Sequence, residues 1–162
     1  MLTIFIPSAF NTTTLLNLEF SFNKYVSTMP TKILFVCWGN AYRSPVAEAL
    51  LKKIRPDLQV ESAGVNPAGF IAPQARQFLA EEGAEKYVKP FPESLEEKKL
   101  SEYDIIVVME EKLRRMVVER CPSCAGKIVV WDIKDPYFLP REYARIIFEQ
   151  IKKKVLELVD SS

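Results

Sequence analysis

KILFVCWGNAYRSPVAEALL, residues Lys32 to Leu51, is the stretch on which the fold turns. Ile33, Leu34, Phe35 and Val36 make a short apolar run of the kind a buried parallel strand uses. Cys37 ends the run, and a tight loop follows, Trp38-Gly39-Asn40-Ala41-Tyr42-Arg43. Ser44-Pro45 predicts a helix start, with Ser44 as the capping hydroxyl and Pro45 at the first helical position. Val46, Ala47, Ala49, Leu50 and Leu51 carry the helix on. A strand, a turn and a helix N-terminus together make an anion site, because successive backbone N–H groups point into the loop. Gly39 allows close backbone approach, and Asn40 tolerates the left-handed conformation such a loop needs. Arg43 adds a planar fork of donors suited to a tetrahedral oxyanion. Cys37 stands at the mouth, where a helix N-terminus and a cation favour thiolate over thiol. Nucleophile and oxyanion cradle are expected on one loop.

Taken singly, these residues say little. A cysteine closing a buried strand is ordinarily a small hydrophobe, and an arginine opening a helix is ordinarily a solvated charge. The Cys-x5-Arg spacing is shared by several unrelated phosphatases. The full stretch, however, resembles the low-molecular-weight protein tyrosine phosphatase family, whose signature after the first strand is Cys-x-Gly-Asn-x-x-Arg-Ser-Pro. Cys37, Gly39, Asn40, Arg43, Ser44 and Pro45 match it in register, followed by Ala47-Glu48. Two further segments resemble the same family: Ser62-Ala63-Gly64, and Asp104 to Met109 as its third strand. Asp135-Pro136-Tyr137 resembles the segment that carries the family's general acid. The likeness spans about residues 31–160.

The resemblance implies an α/β fold in three layers, a four-stranded parallel sheet with helices on both faces. It implies Cys37, Arg43 and Asp135 as catalytic residues. Trp38, Gly39, Asn40, Ala41, Tyr42, Arg43 and Ser44 would bind phosphate, with Ser62 supporting Asn40. Trp38 and Tyr137, joined by Phe70, would wall a slot for an aromatic ring. The implied activity is hydrolysis of phosphotyrosine proteins or small aryl phosphates through a phosphocysteine. No metal or cofactor is called for, since backbone and Arg43 neutralise the phosphate. Pro136 holds the residue before it extended, so Asp135 projects over the loop. Two departures stand out. The family's His-x-Ala-Arg element is missing, and Tyr42 occupies the position where many relatives carry a second cysteine.

Composition agrees with an ordinary soluble protein. The chain has 162 residues, enough for one domain with a real core. Its formal charge of +1 gives no footprint for nucleic acid or for a membrane surface. No run reaches the ~18 apolar residues of a membrane span. There are no histidines, which removes Ser-His triads and most zinc sites. Three cysteines leave at least one outside any intramolecular disulfide, and a cytoplasmic enzyme with a working thiol is expected.

From Thr31 the pattern alternates strand and helix, the signature of parallel crossovers. Strands are expected near residues 32–36, 58–62, 105–109 and 127–131, with helices near 45–54, 110–119 and 141–158. Ala75, Phe78 and Leu79 suit the buried stripe of another helix, which stops at Gly83. Glu93 to Leu100 reads as a short polar helix. Cys121-Pro122-Ser123-Cys124 reads as plain thiols, a disulfide, half a metal site or a redox pair. Residues 1–29 read as an N-terminal extension and 30–162 as the phosphatase domain. In the extension Leu16, Leu18, Phe20 and Phe22 alternate with polar residues like a half-buried strand, with Leu2, Ile4 and Ile6 as its hairpin partner. It lacks the basic start and compact apolar centre of a signal peptide.

Two other functions share the scaffold. A thioredoxin-coupled arsenate reductase relays oxidation through two further cysteines, the first near the end of the third strand, where this chain has Met109. A non-catalytic oxyanion-binding module would have lost the nucleophile or the acid, and both Cys37 and Asp135 are present.

Overall fold

The computed structural model describes residues 31–161. The hairpin expected around Leu2 to Phe22 lies outside them. Four strands, β1 (Lys32–Cys37), β2 (Gln59–Gly64), β3 (Ile105–Val108) and β4 (Ile128–Val130), form one all-parallel sheet in the order β2-β1-β3-β4. Among the described residues four α-helices accompany them: α1 (Arg43–Ile54), α2 (Pro73–Glu81), α3 (Glu111–Arg120) and α4 (Tyr143–Asp160).

Ile33 through Cys37 are all buried, although consecutive strand residues point to opposite faces. Both faces of β1 are therefore covered by helices, which makes the fold a three-layer α/β sandwich. α1 and α4 pack against each other, α2 packs against both, and α3 lies on β3 and β4. α4 turns Ala144, Ile147, Phe148, Ile151 and Val155 inward, a stripe at helical spacing. Ala75, Phe78 and Leu79 do the same for α2, and the chain leaves that helix through Gly83 at φ 68°. β1 has β2 on one side and β3 on the other. Its C-terminal end is thus the topological switch point, where open α/β sheets form their crevice.

Several local expectations are corrected. Ser44 does not cap α1. The helix begins two residues earlier at Arg43, Tyr42 is the flanking residue with no side-chain cap, and Pro45 is the third helical residue. β2 runs on to Gly64 because Ala63 and Gly64 still pair with Val36 and Cys37. The polar helix expected from Glu93 to Leu100 is instead two single 3-10 turns, Leu95–Glu97 and Leu100–Glu102. Leu95 and Leu100 are both buried, and a spacing of five would put them on nearly opposite sides of an α-helix. The four readings left open for Cys121 and Cys124 resolve to a disulfide just past the end of α3. Among the described residues no helix is long and apolar enough to cross a membrane.

Candidate active site

Cys37 closes β1 and Arg43 opens α1, so five residues join strand to helix. A second segment, which continues β2, shapes this loop. Val65 N–H donates to Cys37 O (3.3 Å), Asn66 N–H to Trp38 O (2.9 Å), Ala68 N–H to Gly39 O (2.9 Å) and Ala72 N–H to Ala41 O (2.9 Å). Four loop carbonyls are thereby turned outward. In a trans peptide the N–H opposes the C=O, so the N–H groups of Trp38, Gly39, Asn40 and Tyr42 turn to the inside. A cradle of inward amides is the result. Gly64 makes the close approach possible: a Cβ there would lie 2.8 Å from both Asn40 N and Trp38 O. Asn40 takes the left-handed conformation, φ 51°, as its residue type allows.

The Cys37 sulfur is 2.9 Å from Ser44 Oγ and receives the Asn40 N–H at 3.2 Å. The Asn40 side chain is fully assigned. Its amide nitrogen donates to Ser44 Oγ (2.8 Å) and Ser62 Oγ (2.9 Å), and its oxygen accepts the Glu93 N–H (2.8 Å). Ser44 accepts from Asn40, and its own hydrogen is free for the sulfur. Two donors converge on Sγ, the arrangement that suits a thiolate.

Arg43 is buried with 1 % of its side chain exposed. Nη1 donates to Glu110 Oε1 (2.7 Å) and to the Ile133 carbonyl (2.8 Å), while Nη2 donates to Asp135 Oδ2 (3.0 Å). Those bonds use three of the five guanidinium hydrogens. Nε is the one buried side-chain polar atom among the described residues without a partner. An orphaned buried donor costs about 1–3 kcal/mol, and an anion in the cradle would satisfy it. Burial pushes the Glu110 carboxyl up, but Arg43 and Lys112 outweigh it and hold the group below the usual glutamate range.

A cavity of about 530 Å³ opens above the loop. Cys37, Arg43 and Asp135 line it together, and so do Trp38, Phe70, Tyr137 and Phe138. Pro136, Tyr137 and Phe138 form a 3-10 turn that Asp135 caps by accepting the Tyr137 N–H (3.0 Å). Phe70, Tyr137 and Phe138 are largely exposed at the rim. Lys112 sits over the Trp38 ring at 5.3 Å. The Tyr42 side chain turns away to stack on Phe148 at 6.5 Å, so this residue offers the site its backbone. Ser62 is buried beneath Asn40.

Residues 32–161 match the low molecular weight phosphotyrosine protein phosphatase family. The chain belongs to this family. It is 32% identical over 133 residues to the low molecular weight protein-tyrosine-phosphatase Wzb of Escherichia coli (strain K12), covering 77% of this chain and 90% of Wzb. It is also 31% identical over 144 residues to a protein-arginine-phosphatase of Geobacillus stearothermophilus, covering 82% and 96%. Among solved structures, the Erwinia amylovora tyrosine phosphatase AmsI superposes with a TM-score of 0.75 at 27% identity, covering 82% and 93%. The YwlE arginine phosphatase from Geobacillus stearothermophilus gives 0.73 at 31% identity, covering 82% and 92%. The chain is thus a phosphatase of the low-molecular-weight family, with relatives of both substrate classes.

Sequence reasoning placed Cys37, Arg43, Asp135 and the loop together, and they are together. It missed Glu110, Ile133, Phe138 and Glu93. Glu110 was visible only as the first residue after the third strand. The Ile133 carbonyl carries no signal in sequence at all.

Proposed function

We propose that this protein is a cysteine-dependent tyrosine phosphatase that works through a phosphocysteine. The observation that carries the reading is the convergence of the Cys37 sulfur, the unpartnered Arg43 Nε–H and the Asp135 carboxyl in one aromatic-rimmed cavity. The inward loop N–H groups and Arg43 hold the equatorial phosphate oxygens. The Cys37 thiolate attacks phosphorus, the P–O bond to the phenol breaks, and Asp135 gives its proton to the departing oxygen. Asp135, now a carboxylate, takes a proton from water as that water attacks the phosphocysteine. Phosphate leaves and the thiolate returns, stabilised by the Ser44 hydroxyl and the Asn40 N–H. Trp38 and Tyr137, with Phe70 and Phe138, flank the leaving group.

A second reading, phosphoarginine, is favoured by the similarity to the arginine phosphatase. Tyrosine is preferred because Asp135 is the single carboxylate among the cavity-lining residues, already bonded to Arg43, whereas five of those residues are aromatic. A flat phenol suits such walls better than a guanidinium cation. Arsenate reduction fits less well, since Cys121 and Cys124 are bonded to each other and neither lines the cavity. The deciding experiment compares turnover of p-nitrophenyl phosphate, a phosphotyrosine peptide and a phosphoarginine peptide, all with EDTA present, beside a thioredoxin-coupled arsenate assay. Hydrolysis of the phosphotyrosine peptide well above the phosphoarginine peptide is expected. Arsenate reduction without phosphatase turnover would overturn the proposal.

A further inference from the structure

Lys89 is the one buried lysine among the described residues, with 4 % of its side chain exposed. Its ammonium donates to Ser62 O (2.8 Å) and Ser62 Oγ (3.2 Å) and forms an ion pair with Glu93 Oε2 (2.5 Å). Glu48 of α1, equally buried, adds a carboxylate oxygen at 3.8 Å. The charges around it come from three segments: Glu48 with Lys52 on α1 (3.0 Å), Glu61 of β2 with Lys98 (2.8 Å), and Glu93 with Lys98 (3.0 Å). Acids and bases alternate, so the cluster carries little net field.

The geometry gives this cation a task. Behind the loop, Ser62 Oγ accepts from the Asn40 amide nitrogen and the Glu93 backbone N–H donates to the Asn40 oxygen. Lys89 ties both to one point. With Asn40 so oriented, its other amide hydrogen lies on Ser44 Oγ, which leaves the Ser44 hydrogen for the Cys37 sulfur. Stability alone does not ask for this arrangement, because apolar side chains of similar volume commonly replace a buried ion pair at no cost.

We propose that Lys89 is a positioning residue for phosphoryl transfer, whose ammonium clamps Ser62 and Glu93 and, through Asn40 and Ser44, keeps a hydrogen-bond donor on the Cys37 sulfur. The proposal rests on the phosphatase reading above. Inward loop amides and Arg43 bind the phosphate without Lys89, so its loss acts on the chemical step more than on affinity.

A double-mutant cycle of Lys89→Met with Ser44→Ala, read with p-nitrophenyl phosphate, tests it. Lys89→Met is expected to lower kcat about tenfold, the size of one hydrogen bond to a charged group, with KM changed less than about twofold. On the Ser44→Ala background the same substitution is expected to have little further effect, because both act on one donor. Lys52→Met, which removes the cation bonded to Glu48 (3.0 Å) in the same charge cluster without touching Ser62 or Glu93, is the control and should keep its activity. If Lys89→Met does not fold, the cycle is repeated with Lys89→Met/Glu48→Gln, which leaves neither charge buried alone. A kcat within twofold of wild type in the folded variant overturns the inference, as do losses that simply multiply with Ser44→Ala. Wild-type protein inactive on every phosphoester would instead overturn the phosphatase reading itself.

Discussion

Cys37 receives two hydrogen bonds at sulfur and lines the cavity, yet its neighbours at the loop include no second thiol. Cys37→Ser is expected to abolish turnover while phosphate still binds, because the cradle is backbone and Arg43. Residual turnover above about a hundredth of wild type would rule out the covalent route. The absent thiol has a further consequence. Tyr42 stands beside Arg43, Cys37 is the one free cysteine, and Cys121 and Cys124 are joined to each other. A sulfenic acid on Cys37 then has no resolving partner and can advance to the irreversible sulfinic form. Prolonged peroxide should inactivate the enzyme with poor recovery in dithiothreitol, and mass spectrometry should find sulfinic or sulfonic Cys37. A disulfide from Cys37 to Cys121 or Cys124 would overturn this and bring back the arsenate-reductase relay. The two nearby aspartates are also separable. Asp132 is exposed in the left-handed region at φ 53°, whereas Asp135 is bonded to Arg43 and faces the cavity. Asp135→Asn should slow aryl phosphates with poor leaving groups far more than p-nitrophenyl phosphate, and Asp132→Asn should slow neither. Equal losses on both substrates would remove Asp135 as the acid.

At the scale of elements, the loop is shaped by the segment after β2 rather than by its own residues. Gly64 is where that segment comes closest, and the atoms a Cβ would meet are backbone, which cannot swing aside. Gly64→Ala is therefore expected to destabilise the fold by about 1–3 kcal/mol and to lower activity by displacing Asn40 and Trp38. Denaturant titration with parallel kinetics checks both, and an alanine variant as stable and active as wild type would refute the wedge. The early start of α1 belongs to the same scale. Arg43 sits inside the first turn instead of before it, and this brings Ser44 round to the sulfur. An amphipathic pattern cannot resolve that two-residue difference, because Ser-Pro at a helix start reads equally well in either register.

Across the molecule, acidic groups hold segments that are distant in sequence. Glu110 joins Arg43 of α1, Glu61 of β2 joins Lys98, and Glu93 joins Lys89 and Lys98. Burial raises each of these carboxyls, but their cationic partners outweigh it, and all three lie below the ordinary glutamate value of 4.5. A depressed folded value means that the stabilisation is fully present above about pH 4.5 and is lost as pH falls through the lower folded values. The thermal midpoint should be flat from pH 7 to 5 and fall steeply below about 4.5, with Glu110→Gln showing a shallower fall. A midpoint unchanged down to pH 3 would contradict the linkage. The sequence by itself determined the parallel sheet and the strand-loop-helix unit with Cys37 and Arg43, which follow from local periodicity and from residue types whose chemistry is carried in short stretches. The company of Asp135 came from the resemblance of Asp135-Pro136-Tyr137 to the family's motif. The sequence did not determine which acceptors hold the Arg43 Nη atoms, that the Glu93 N–H meets Asn40 with Lys89 behind it, or that residues 93–102 take two tight turns. The decisive contacts use backbone groups that meet distant side chains across fifty or more positions, as Glu93 N–H meets Asn40 and the Ile133 carbonyl meets Arg43. Every residue type carries those groups alike, so only the packed sheet decides which of them meet.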